Sequence, residues 1–441
     1  MADKKKNTKT KNTQKKIRKP NPILFYPLCL LVGLFLKLRL HVHYDRSAIK
    51  DVQGPALFLC PHISNMDFLL VALALFPHRP TFVGSEHFMS RPLIRWFLNQ
   101  MAVIPKKMYC ADIRTILTIM RAKEQGHLIV LFPEGRLTCF GHSLNLTEGT
   151  AELVKKLGVD VYTITGNGAY LTLPKWGKSG FRPGRIQVDS AQLLKGEDIP
   201  SMSLAEIQEA LEAAIYHDED QVARTQMAGV NYRCKEPALG LDRILYKCPV
   251  CGAELQTESA GDTIRCRACG MEARLDPQYV LHGGPFDSIN AWYLWQQEQI
   301  DLDEALESDV TVSAVGADGN RDWSAGSGHL RMDREAITFS GQVFGQPLEF
   351  TETTANVKAL PASVGSHFDI YHNKVMYNMH LLPDPRANIK WVSYLDKLHG
   401  NIRTAPPAPN VPPVPDVPTA PDVPDAPDVP TTSAEKSFTD C

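Results

Sequence analysis

Four cysteines constrain this chain more tightly than anything else in it. Cys248, Cys251, Cys266 and Cys269 spell C-x2-C-x14-C-x2-C, and a glycine follows each pair, Gly252 and Gly270. Two such knuckles, converging four sulfurs on one ion, meet the requirement of tetrahedral zinc, and four thiolates leave no open coordination position. Residues 248–270 therefore read as a zinc ribbon whose single ion is structural. Redox-active C-x-x-C pairs are the alternative, although two matched pairs are poorly explained that way. The other six cysteines (Cys29, Cys60, Cys110, Cys139, Cys234 and Cys441) are scattered singly. That usage suits a reducing cytoplasm and not a secreted disulfide framework.

On either side of the ribbon the apolar pattern changes period. Between residues 55 and 225, "PALFLC", "PTFVG", "HLIVLF" and "VDVYTITGNG" have the look of buried strands. Between them "NMDFLLVALALF", "MSRPLIRWFLNQM", "ADIRTILTIMRAKEQG" and "TEGTAELVKKLG" carry helical spacing, two of them closing on a glycine. This alternation predicts an α/β domain over residues 46–225, ended by the amphipathic "SLAEIQEALEAAIYHDEDQ". Residues 226–280 then hold a turn-rich connection and the ribbon. A helix follows in "FDSINAWYLWQQEQ", where Trp292, Tyr293 and Trp295 read as core. Seven strand-like runs between 309 and 385, and a last helix in "NIKWVSYLDKLHG", predict a small β-rich domain over 281–403. In pattern alone it resembles pleckstrin-homology-type and related small barrels.

The formal net charge of -2 conceals a segregation. Nine Lys or Arg crowd the stretch from Met1 to Lys19, so residues 1–21 read as a disordered basic tail. Residues 404–441 carry six acidic side chains against one lysine and repeat "PDVP" every six residues. Such a polyproline tail forms no core and is a spacer, a ligand for a protein partner, or neither.

Behind the basic tail lies a 14-residue apolar run, "ILFYPLCLLVGLFL", at 23–36. A span needs about 20 residues, and no small-residue cleavage site follows as a signal peptide would require. With Lys and Arg stems at its end able to snorkel, the run predicts a helix within 22–45 lying in or partly entering one leaflet. A buried core helix is the other reading. The polybasic neighbour favours the membrane, because each cation near an anionic surface contributes roughly 1 kcal/mol. Anionic lipid at the cytoplasmic face of the cell membrane is thus an expected partner. Nucleic acid is not: residues 243–276 hold five Lys/Arg against five Asp/Glu, a poor phosphate track.

Two short motifs leave the predicted strands. After "PALFL" the chain reads "CPHISNMD", placing His62 five residues before Asp67. An imidazole can take the proton of an alcohol attacking a carbonyl, and does so well when a carboxylate holds its second nitrogen. No serine motif such as G-x-S-x-G accompanies the pair, which makes the alcohol the substrate's own. A helix-capping loop with an incidental histidine fits the same residues. The second motif, "IVLFPEGRLT" at 129–138, leaves its strand through Pro133 into Glu134, Gly135 and Arg136. Arg can fork onto a phosphate where Gly lets the backbone approach. A turn with a surface salt bridge fits equally.

In this order, the second well downstream of the first, the two motifs resemble the glycerolipid acyltransferase family that includes 1-acylglycerol-3-phosphate acyltransferases. That family pairs an H-x4-D block with a downstream F-P-E-G block. "VGSEHFMSRPLIRWFLNQMAVIPKK" (83–107) looks like its intermediate block, and "VYTITGNGAYLTLP" (161–174) sits where its fourth, proline-bearing block falls. The family most often reads F-P-E-G-T-R, whereas here Arg136 follows Gly135 directly. The resemblance covers roughly residues 23–225. It implies transfer of a fatty acyl group from a thioester, on CoA or acyl carrier protein, to a lysophospholipid hydroxyl. His62 would be the general base and Asp67 its orienter. Glu134, Gly135 and Arg136, with Lys106 and Lys107, would hold the phosphate-bearing acceptor. Glycerol 3-phosphate or another lysolipid is the alternative acceptor. A non-catalytic membrane adaptor working through the ribbon, β domain and tail is the rival reading.

Overall fold

The computed structural model describes residues 16–107, 112–315, 321–373 and 375–402. Most of the basic tail and the whole proline-rich tail, with the expectations placed on them, lie outside the described residues.

The apolar run near the N-terminus becomes helix α1, Pro22–Leu40, longer than the run itself because the stems of Lys37 and Arg39 continue it. Asn21 caps it by accepting from the Ile23 N–H, and Pro22 sits at the first position, where a missing donor costs nothing, while Pro27 lies inside the helix and removes one of its backbone bonds. Phe25, Cys29, Leu36 and Leu40 form one buried stripe, while Ile23, Leu30, Leu31, Leu34 and Leu38 point outward. The helix therefore docks on the body of the protein along one face and leaves a second apolar face uncovered. His41 then turns the chain into β1, Val42–Tyr44, a strand the sequence pattern does not announce.

The α/β domain follows. Its elements are β2 (Ala56–Leu59), α2 (Asp67–Ala74), β3 (Thr81–Ser85), α3 (Pro92–Gln100), β4 (Ile104–Lys106), α4 (Ile113–Glu124), β5 (Leu128–Leu131), α5 (Thr150–Leu157), β6 (Asp160–Asn167), α6 (Ala169–Thr172), β7 (Ile186–Leu194), α7 (Leu204–Ile215) and α8 (Glu219–Arg224). The seven strands form one sheet in the order β1-β7-β6-β2-β5-β3-β4. β2, β5, β6, β3 and β4 run parallel, whereas β7 is antiparallel to β6 and β1 is parallel to β7. Every residue of β2 and β5 is buried, as expected for central strands covered on both faces. The predicted C-terminal stops hold: Gly158 ends α5 in the left-handed region, and Gly126 follows α4 at φ +70°. The last predicted amphipathic helix is broken between α7 and α8, where Asp218 caps α8 by accepting from Asp220 and Gln221 N–H groups.

Residues 226–247, expected as a connection, instead bury Tyr232, Ala238, Leu241, Ile244, Leu245 and Tyr246. They carry the core directly into the four-cysteine unit, whose strands β8 (Thr257–Ala260), β9 (Thr263–Cys266), β10 (Glu272–Leu275) and β11 (Leu281–His282) make a small antiparallel sheet. Helix α9 (Ile289–Glu298) buries Trp292 and Tyr293, with Trp295 partly covered. The β-rich domain comprises β12 (Leu306–Val315), β13 (Arg321–Met332), β14 (Ala336–Val343), β15 (Gln346–Thr353), β16 (Ala362–Ser363), β17 (His367–His372) and β18 (Val375–Leu381), closed by α10 (Asn388–His399). Its sheet runs β15-β14-β13-β12-β18-β17-β16, two meanders joined where β18 pairs with β12. One continuous core runs from Ile63 through Phe140, Trp176, Leu245 and Trp292 to Ile389. It packs the α/β domain, the cysteine unit and the β domain against one another.

Candidate active site

In an open parallel sheet the crevice lies beyond the carboxyl ends of the strands. Here four adjacent strands end at one cavity: β2 delivers His62, β5 delivers Gly135 and Arg136, β3 delivers Ser85 and β4 delivers Lys106. The cavity has a volume of about 660 Å³, within the range of small-molecule sites.

His62 stands at the centre of this arrangement. Its Nδ1 lies 3.0 Å from Asp67 Oδ2, and its ring stacks on Phe132 with centroids 4.6 Å apart. Asp67 is the first residue of α2, which brings it back over the turn that carries His62. The same carboxylate oxygen accepts the Ser64 N–H at 2.9 Å, and Ser64 Oγ in turn donates to the Ala169 carbonyl at 3.2 Å. The Asp67 side chain is 8 % exposed, against 25 % for His62. Burial holds the Asp67 carboxyl above its usual range, an effect the His62 bond only partly offsets. With Nδ1 held by the carboxylate, Nε2 is the nitrogen left to exchange a proton.

The second motif supports the first from below. Phe132 supplies the stacking ring, and Gly135 sits at φ +73°, a conformation that favours glycine. Between them Glu134 accepts the His62 backbone N–H at 2.8 Å through Oε1 and the Leu144 N–H at 2.7 Å through Oε2. The expected acceptor contact of Glu134 is corrected here: it is 5 % exposed, does not line the cavity, and fixes the backbone of His62 instead. Arg136 does line the cavity, but its guanidinium is engaged by Asp396 of α10, in a pair whose side chains are 9 % and 3 % exposed. β4 ends between the two candidate lysines. Lys106 lines the cavity, whereas Lys107 is exposed and donates its backbone N–H to Asp112.

Several lining residues escaped sequence reasoning. Lys175, from the loop after α6, and Ser363, His367, Asp369 and Tyr371 of the β domain all face the same cavity. Lys175 directly follows the proline-bearing stretch 161–174, whereas no local motif surrounds the four β-domain residues, which join the site only because domains remote from one another in sequence pack together. The cavity is strongly polarised. α1, α2 and α3 contribute an apolar end, including Phe25, Val32, Leu69, Ala72, Phe97 and Leu98, while the ionisable groups come from strand ends, Lys175 and β17.

The four cysteines meet as their spacing predicts. Their sulfurs all lie within 4.8 Å of one another, with Cys248–Cys269 at 3.7 Å and Cys251–Cys266 at 3.8 Å. A tetrahedron of ligands about 2.3 Å from zinc has edges of roughly 3.8 Å, and a disulfide would need about 2.05 Å. Gly252 and Gly270, at φ +72° and +76°, close each knuckle by donating their N–H to the carbonyls of Cys248 and Cys266. The donor set fits a zinc ion.

Residues 39–166 match the family model described as Acyltransferase. That segment is similar to acyltransferase domains. It contains both His62 and the Phe132–Arg136 turn, so the paired motifs and the family match fall on the same stretch. A solved structure of the 1-acyl-sn-glycerophosphate (LPA) acyltransferase PlsC from Thermotoga maritima is similar to this chain at 17% identity, covering 47% of this chain and 80% of that one, with a TM-score of 0.38. The family match falls in the first part of the chain; the cysteine unit packs against that part through the shared core, and the β domain contributes to the cavity wall.

Proposed function

We propose that this acyltransferase is a membrane-associated 1-acylglycerol-3-phosphate O-acyltransferase. It moves a fatty acyl group from acyl-CoA or acyl carrier protein to the free hydroxyl of the acceptor, giving phosphatidic acid for phospholipid synthesis. The observation that carries this reading is the His62–Asp67 pair at 3.0 Å, set in the wall of a cavity whose far end is apolar.

The chemistry follows from that pair. His62 Nε2 takes the proton as the acceptor oxygen attacks the thioester carbonyl; the tetrahedral intermediate then expels the thiolate, which receives the proton from His62. Asp67 keeps the N–H on Nδ1 and stabilises the imidazolium that forms. Two bound substrates positioned by the cavity supply much of the remaining acceleration. The apolar end takes the acyl chain, and Gly135, Arg136 and Lys106 face the reacting polar end.

The outer face of α1 lies on anionic lipid at the cytoplasmic side of the cell membrane, joined by exposed Leu93 and Trp96 of α3 and Ile113 and Leu117 of α4. The cysteine unit is read as a zinc ribbon. The β domain is read as pleckstrin-homology-like, since its two joined meanders and closing helix fit that description.

The test is transfer from labelled acyl-CoA or acyl carrier protein to a panel of lysolipids and glycerol 3-phosphate. Activity on lysophosphatidate is expected, with a loss of at least about a hundredfold in His62→Ala. Unchanged activity in that variant sinks the mechanism. Activity confined to another acceptor replaces lysophosphatidate, and silence with every acceptor favours an adaptor.

A further inference from the structure

The β domain forms part of the His62 cavity itself. Pro361, Ala362, Ser363, His367, Asp369 and Tyr371 line the same space as His62, and three of them alternate along β17. Residues two apart on a strand share one face, so His367, Asp369 and Tyr371 present a single polar wall to the cavity. Across from it stands Lys175 of the acyltransferase domain. Its ammonium gives one N–H to the Leu137 carbonyl at 3.1 Å and lies 3.8 Å from Cys139 Sγ, which leaves a third N–H for a ligand. Asp369 accepts an N–H from Asn378, whose Oδ1 takes the Arg321 guanidinium at 2.7 Å, and it shares the cavity wall with Lys175. Meanwhile the guanidinium of Arg136 already engages Asp396.

We propose that β17 of the β domain reads the headgroup of the acyl acceptor, with Asp369 as the selecting group and Lys175 holding the headgroup phosphate. The inference rests on the acyltransferase reading above and deepens it. The orientation follows from the polarity of the cavity: helices α1–α3 give an apolar end for the acyl chain, so the polar end of the acceptor falls between Lys175 and β17. A carboxylate there accepts hydrogen bonds from a hydroxyl or ammonium carried by the phosphate, and disfavours the second negative charge of a bare phosphate monoester. Asp369 thereby narrows the enzyme's preference for lysophosphatidate over acceptors whose phosphate carries a donor-bearing substituent.

Asp369→Asn tests this, being isosteric and uncharged. The kcat/KM values for lysophosphatidate, lysophosphatidylethanolamine and lysophosphatidylglycerol, and the KM for acyl donor, are measured on full-length protein of each type. The ratio of lysophosphatidate to the substituted lysolipids is expected to rise at least about fivefold in Asp369→Asn, a shift of the size one lost charge contact produces, with the donor KM within about twofold of the parent. Binding of the same lysolipids to His62→Ala and to His62→Ala/Asp369→Asn, followed by calorimetry, gives the same comparison without turnover and serves even where only one acceptor is processed. An unchanged acceptor ratio in both measurements overturns the proposal. So does a uniform loss across acceptors accompanied by a raised donor KM, which would mean a merely loosened fold. These outcomes differ from failure of the parent reading, in which the wild-type protein is silent with every acceptor.

Discussion

At the scale of single residues, His62 and Asp67 stand where their spacing puts them, because a turn and the first residue of a helix place positions five apart on one side. Glu134 is different. Its motif is easily recognised, yet which way a carboxylate faces after a strand depends on the turn that follows, here made by Gly135 at φ +73°. The fold uses it as an anchor beneath the backbone that carries the base. In Glu134→Ala the N–H groups of His62 and Leu144 lose their acceptor, and each unsatisfied buried donor costs about 1–3 kcal/mol. The expected outcome in steady-state kinetics is a fall in kcat of at least about tenfold with the acceptor KM little changed, since the base is displaced and the headgroup site is not. A raised acceptor KM at constant kcat would return Glu134 to the substrate.

Elements were legible in proportion to their length and burial. β2 and β5 announce themselves as unbroken apolar runs, and α5 through its glycine stop. β1 and β4 have three residues each, too few for any period to emerge, and β7 mixes buried and exposed positions because it lies near the edge of the sheet. For α1 both sequence readings contain part of the answer: one stripe is core and the opposite stripe is uncovered. At 63 % and 56 % exposure, Leu30 and Leu34 make no contribution to the core that a charge would disrupt. Leu30→Glu/Leu34→Glu is therefore expected to keep its melting temperature while its partition onto anionic vesicles drops at least about tenfold, each leucine inserted in lipid contributing about 1.5–3 kcal/mol. Equal sedimentation with vesicles would show that α1 does not carry the membrane contact.

For the whole molecule, the domain succession could be read from composition, but the seam between domains could not. Asp396 sits in a helix whose pattern shows no reason for a buried carboxylate; the Arg136 contact, with an N–H from Asn401, supplies one. Nor does any local period reveal that residues 226–247 are core. The shared core makes the cysteine cluster more than a local clip, because Cys248 lies two residues past buried Tyr246, with Ile244 and Leu245 buried just before it. Metal analysis is expected to find about one zinc per chain. Chelation is expected to lower the melting temperature and acyl transfer together, as structural zinc contributes folding free energy directly. A zinc-free protein that remains folded and fully active would refute this coupling.

The bridge from Arg136 to Asp396 also bears on how the enzyme comes into being. A ribosome delivers α1 before, and α10 after, every other described element. Throughout that interval the turn carrying Gly135 and Arg136 lacks its partner, and the wall formed by β17 is missing until late. The nascent chain thus holds His62 and Asp67 long before it holds a finished site, and the pocket around them closes only as the last described helix emerges.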